Sequence, residues 1–412
     1  MRHRCGTNAP SLLPSLKGRG RGWVGPLEPE RCGCVEAYPP PTPPFQGGEQ
    51  ITVKGGRNRY RRVLTVAALA LTAATPAATD YPTVRPGARF VFPREHGAHP
   101  AFRTEWWYVT GLFKTRDGRD LGFQVTFFRT TPGTDAANPS RFAPKQILFA
   151  HAALSDPRIG RLLHGERAAR AGFGLAQARI GDTDVRLRDW HIRRLADGRF
   201  VTTVATPEFG LSLTLTPRQP PLLEGKDGYS QKGPRPEQAS YYYSVPHLAV
   251  TGSLTRDRKA QPITGQAWLD REWSSDYLGG GAVGWDWTGL NLDDGGALMA
   301  FRIRGAGGKQ VWAGGSLRRA DGRIVRFAPG DVRFDPLKQW RSPRTGALYP
   351  VTQRLSIRLP EGVRRFDLNP LFADQELDAR RSGMPVYWEG AVRTTGGSGY
   401  LELTGYADPL RM

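Results

Sequence analysis

Cysteine is nearly absent: three in 412 residues, Cys5, Cys32 and Cys34, all near the start. Beyond residue 34 this excludes disulfides, thiolate-bound zinc and thiol nucleophiles. Long apolar runs are missing as well. None reaches the roughly 18 residues a membrane-spanning helix needs, so a helical integral membrane protein is not expected. Acidic residues are scarce beside basic ones, 38 against 58, for a net charge of +20. Of those basic residues 49 are arginine, scattered rather than blocked, and such diffuse charge does not point to nucleic acid. Sustained 3.6-residue amphipathicity and a G-x-S-x-G nucleophile elbow are also lacking, which leaves helical folds and serine-hydrolase chemistry without support.

What is present divides the chain. Residues 1–56 carry a proline cluster (Pro39-Pro40-Pro41-Thr42-Pro43-Pro44) and no periodic apolar pattern, so they read as disordered, an upstream extension of a reading frame whose true start is Val53. Residues 57–78 open on Arg57-Asn58-Arg59-Tyr60-Arg61-Arg62, continue with the apolar stretch 63–74 and end in small residues. Basic, apolar, then small is the layout of a secretory signal peptide. The expectation is an exported protein, periplasmic or secreted, with a membrane surface as one setting.

From residue 104 on, short β-rich runs alternate with turn signals. Asp-Gly pairs recur at Asp117, Asp197, Asp294 and Asp321, each able to supply a positive-φ turn. Some sixteen such runs predict an all-β chain of two antiparallel barrels, an N-terminal one over 79–256 and a C-terminal one over 257–412. The polar stretch 217–237 is expected as a surface loop.

Several motifs offer chemistry. Gly279-Gly280-Gly281-Ala282-Val283-Gly284 matches G-x-G-x-x-G, but no helix is expected after it, so a dinucleotide cofactor is not. His96 and His99, with Glu105 beyond them, are read either as a metal-ligand set or as rim residues of an approach loop; the second is preferred, and no metal is expected. In Glu105-Trp106-Trp107-Tyr108, alternation puts Trp106 and Tyr108 on one face and Glu105 and Trp107 on the other. Trp285 and Trp287 likewise share a face opposite Asp286. These aromatics either close barrel cores or line a lumen for an apolar ligand. With a turn centred on Asp257-Arg258, the hairpin 241–272 pairs residues whose numbers sum to 515. That register places His247 diagonal to Asp270, with Tyr243, Trp268 and Glu272 on the same face. A bulge would break it. A histidine–aspartate couple among aromatics suits acid/base work, and suits a structural ion pair equally well.

The string His96-Gly97-Ala98-His99-Pro100-Ala101-Phe102-Arg103-Thr104-Glu105-Trp106-Trp107-Tyr108-Val109-Thr110-Gly111 resembles the opening of the AttH-like proteins, relatives of the carotenoid 1,2-hydratases. Residues 241–254, 265–274 and 284–290 resemble the family's second landmark, and the likeness spans roughly 85–410. It implies two packed lipocalin-like barrels and a setting beside ABC transporter components; many members are catalogued as secreted hydrolases. For a hydratase it implies an acidic aspartate at Asp270. The family's partner histidine falls near Ser240–Tyr241, where this chain has none.

Two functions follow as expectations. One is a lipocalin-type protein holding a lipid- or isoprenoid-like ligand against Trp106, Tyr108, Tyr241, Tyr243, Trp268, Glu272, Trp285 and Trp287, with components of an ABC transport system as expected partners. The other is a hydratase (a carbon–oxygen lyase) or hydrolase in which Asp270 works with His247. Neither calls for a cofactor.

Overall fold

The computed structural model describes residues 81–133, 138–276 and 278–410. The expected upstream extension and signal peptide lie outside these residues. The chain is all-β, built of two antiparallel sheets with a few single 3-10 turns.

The first sheet has thirteen strands. Its centre is a set of three long strands: Thr104–Thr115 pairs with Lys259–Ser274, which pairs with Ala239–Arg256. On one side the sheet continues through Asp120–Thr130, Ile147–Ser155 and Leu162–Arg170. On the other it runs through Gly210–Pro217, Phe200–Ala205, Trp190–Arg194, Asp184–Leu187 and Ala176–Ala178. The far ends curl toward each other until Asp184–Leu187 touches Ile147–Ser155, giving a nearly closed barrel. Its interior holds Trp107, Val109, Phe113, Phe123, Trp190 and Leu269, among others, all buried.

The second sheet has ten strands centred on Ala282–Leu292, Gly397–Thr404 and Val386–Thr394. It curls over its own core of Leu290, Leu298, Tyr349, Leu355, Phe366 and Trp388.

Between the two lies a third apolar layer: Tyr108, Tyr242 and Trp268 from the first sheet, Trp287, Met299, Phe301 and Tyr400 from the second. The central strands are therefore buried on both faces. Alternation sends Trp107 into the barrel and Trp106 and Tyr108 into the layer, as the sequence predicts.

Two expectations change. The hairpin tip sits at Asp257 and Arg258, both at positive φ as a tight two-residue turn requires. Yet both hairpin strands belong to the first sheet, so the division placed at 256/257 cuts it in half. The chain passes from one sheet to the other at 275–281, the glycine-rich segment, which leads into a strand and not a helix. The polar stretch 217–237 is not a simple surface loop either. It lays Leu222–Leu223 and Tyr229–Gln231 against the long strand Ala239–Arg256 and buries Glu224 and Lys232.

Candidate functional site

The expected register holds only halfway along the hairpin. Pairs from Leu248↔Ala267 to Arg256↔Lys259 follow it, but a bulge between Val245 and Leu248 moves the rest by one residue. The reason is local. Pro246 has no N–H to give the ladder, and His247 adopts φ +52, a left-handed conformation that takes it out of the strand path.

Ser244, not Val245, consequently stands opposite Asp270, and Tyr242, not Tyr243, stands opposite Glu272. The direct His247–Asp270 couple does not form. His247 donates from Nε2 to the Gly296 carbonyl, accepts at Nδ1 from Gln266, and gives its backbone N–H to Asn291. Tyr243 is turned into the barrel, where its hydroxyl lies 2.6 Å from His96 Nδ1. Tyr241 also leaves the expected set and packs with Phe90, Phe102 and Trp273.

His96, His99 and Glu105 close the barrel's end. Glu105 is ion-paired to Arg129 and Arg271, the latter at 2.8 Å, and His99 stacks on Trp273 with ring centres 3.8 Å apart. Burial alone would raise the Glu105 carboxyl, but Arg271, His99 and Arg129 outweigh it and hold it at about 2. Burial, with Arg194 and Arg271 beside it, pushes the His96 imidazole down to about 3. Among the described residues no cluster has the makings of a metal site. This set is a charged clamp on the barrel.

The inter-sheet layer is different: its charges are mostly acids without cations. Asp270 is 3% exposed. Trp268 Nε1 donates to its Oδ1 at 2.7 Å, the Ser244 hydroxyl lies 2.6 Å from the same oxygen, and the Tyr242 hydroxyl is 2.7 Å from Oδ2. Trp287 in turn donates to Tyr242 at 3.0 Å. Burial pushes the Asp270 carboxyl up, the three hydrogen bonds pull it part of the way back, and it comes to about 7.

Ser244 reaches a second acid as well, Glu224 Oε1 at 2.9 Å. Glu224 is fully buried, and desolvation with the neighbouring Asp270 charge lifts it to about 8. One hydroxyl has one proton, so both contacts are hydrogen bonds only when one of the two acids is protonated. Glu224–Ser244–Asp270 is thus a proton-holding chain near neutral pH. Beside it Lys232 pairs with Glu272 at 3.1 Å and lies over the Tyr242 and Phe301 rings.

Of the residues singled out in the sequence, Asp270, Trp268, Glu272, Tyr108 and Trp287 come together here, with Trp106 and Trp285 at the edge of the same layer. Glu224, Lys232, Tyr242 and Ser244 were missed. The first two lie in the stretch read as a loop, and the other two become visible only once the bulge is known.

Known proteins agree with this architecture. The AttH-like family model matches residues 83–406. A crystal structure of an AttH candidate from Nitrosomonas europaea is 52% identical, covering 79% of this chain and 99% of that one, with a TM-score of 0.73. Kievitone hydratase from Nectria haematococca shares the fold at 15% identity, over 81% of this chain and 98% of its own, with a TM-score of 0.59. No curated protein matches the chain. By the span of the family match and the identity to the Nitrosomonas protein, the chain belongs to the AttH-like family.

Proposed function

We propose that the protein binds an apolar, unsaturated ligand, lipid- or isoprenoid-like, against the inter-sheet aromatics, and that Asp270 protonates it in a hydratase-type addition of water. The observation that carries this reading is the Glu224–Ser244–Asp270 chain. It keeps an acidic proton at neutral pH inside an aromatic layer, where a developing cation is favoured by the ring faces of Trp268 and Trp287. Asp270 gives its proton to one alkene carbon, water adds to the carbon left positive, and the proton that water releases restores Asp270, while Glu224, joined through Ser244, helps keep Asp270 protonated beforehand. The kinship in fold with a named hydratase is compatible with this chemistry.

A second reading, a carrier without catalysis, is favoured by one observation: His247 has both ring nitrogens engaged elsewhere and offers Asp270 no imidazole. Export and service to an ABC transport system belong to either reading; export rests on the basic–apolar–small layout of residues 57–78, and the transport role on the AttH-like resemblance.

The test is direct. Organic extracts of purified protein are examined by mass spectrometry, and 18O from labelled water is followed into geranylgeraniol. Incorporation by the wild type that Asp270→Asn reduces by about 100-fold or more supports the hydratase. Retention of an apolar ligand with no incorporation supports the carrier.

A further inference from the structure

The second sheet presents acids of its own to the same layer. Glu389, in Val386–Thr394, is the direct cross-strand partner of Glu402, in Gly397–Thr404, and Glu402 is in turn opposite Trp287. Alternation therefore puts both carboxyls on the face that carries Ala391, Tyr400 and Trp287, the face turned to the first sheet. Opposite them the first sheet offers Tyr108, the cross-strand neighbour of Asp270, whose ring meets Trp287 edge-on at 5.3 Å.

Two like charges opposed on adjacent strands repel, and among the groups facing them here there are tyrosine and tryptophan donors but no cation. Glu389 is 2% exposed, and the hydroxyls of Tyr108 and Tyr387 lie against its carboxyl without well-aligned hydrogen bonds. The groups that face Glu389 are Glu402, Tyr108 and Tyr387. Those that face Glu402 are Trp285, Asp270 and Glu272. No lysine or arginine stands among them, and Lys232, which lies over the Tyr242 and Phe301 rings of the layer, is paired with Glu272.

We propose that Glu389 and Glu402 hold one proton between them and form a second acid/base group, facing Asp270 across the inter-sheet layer with the Tyr108 hydroxyl between. Burial first, then mutual repulsion, pushes the Glu389 carboxyl well up, and burial lifts Glu402 to about 8, in keeping with a shared proton. The catalytic part rests on the reading of Asp270 as proton donor. The alkene π pair takes the proton of Asp270 to form a C–H bond, and a water oxygen attacks the carbon left positive. The proton released by that water goes to the remaining carboxylate of the pair, then back to Asp270 by way of Tyr108. The product is the substrate plus one water, and both acid groups end as they began.

The full chain, labelled with 13C at the glutamate carboxyl, is titrated by NMR, with Glu389→Gln and Glu402→Gln to assign the signals. The expected result is a carboxyl of the pair that titrates above pH 7 and falls by at least one unit when its partner is replaced. Ordinary titration of both below about pH 5.5 overturns the shared proton. With geranylgeraniol as probe, Glu389→Gln is expected to lower 18O incorporation about 100-fold while the dissociation constant, read by tryptophan quenching, stays within threefold. Glu389→Gln that keeps more than half the wild-type rate overturns the catalytic role of the pair. Asp270→Asn with full turnover, or an inactive wild type, overturns the Asp270 reading and the pair's catalytic role with it. The NMR titration still decides the shared proton in that event.

Discussion

The residues that distinguish this protein are acids buried where they cannot easily ionise. Asp270 and Glu224 stand at about 7 and about 8, both above their ordinary values. In the unfolded chain they lose their protons near pH 4, in the folded protein only near neutrality. Between those limits the folded state holds protons that the unfolded state has released, so stability is greatest below pH 4 on this account and falls as pH rises to about 8. Thermal midpoints are expected to drop between pH 5 and 8. Asp270→Asn or Glu224→Gln should flatten that drop, each by on the order of 2–4 kcal/mol or less, since the two share one hydroxyl and are not independent. A profile as steep in both variants as in the wild type would count against the proton-holding chain. Ser244→Ala makes the complementary test. It removes the hydroxyl that joins the two acids and takes a donor from Glu224, at an expected cost of about 1–3 kcal/mol in chemical denaturation.

At the scale of elements, one bulge decides which residues meet. His247 is held at φ +52 by three hydrogen bonds, in a region that asparagine tolerates and a β-branched residue does not. His247→Val is expected to cost about 1–3 kcal/mol, and His247→Asn much less, with the pH dependence assigned to Asp270 unchanged in both. A midpoint shift of Asp270 in His247→Asn would restore the couple that the expected register put there. The same bulge explains what could be read from the sequence and what could not. The turn at Asp257-Arg258, the register of 248–256, the opposite faces of Trp106 and Trp107, and the placement of Asp270 among aromatics follow from alternation and turn chemistry. The partners of Asp270 do not, because a single inserted residue beside Pro246 exchanges Tyr243 for Tyr242 and Val245 for Ser244, and carries His247 out of its place diagonal to Asp270. Glu224 was hidden for another reason. It lies between strands of two and three residues, too short to show a period, pressed onto the long hairpin.

For the molecule as a whole, the question is where it can be divided. Strand Lys259–Ser274 pairs with Thr104–Thr115 on one side and Ala239–Arg256 on the other, and carries Arg271, which ties Glu105 to the barrel's end. A fragment ending at residue 256 lacks the middle strand of its own sheet and takes Arg271 away from the buried Glu105. It is expected not to fold. A fragment ending at 276 keeps the whole first sheet and its barrel core but exposes Trp106, Tyr108, Leu112, Tyr242 and Trp268 to water. Each large side chain so exposed forgoes about 2 kcal/mol of burial, and a contiguous patch of this kind promotes association. That fragment should show strand-type circular dichroism and a cooperative melt, bind a hydrophobic dye strongly, and elute above monomer size. Cooperative folding of the shorter fragment would mean that the hairpin does bridge two independent barrels. A longer fragment that stays monomeric and dye-free would mean that the aromatic layer contributes little to joining the sheets.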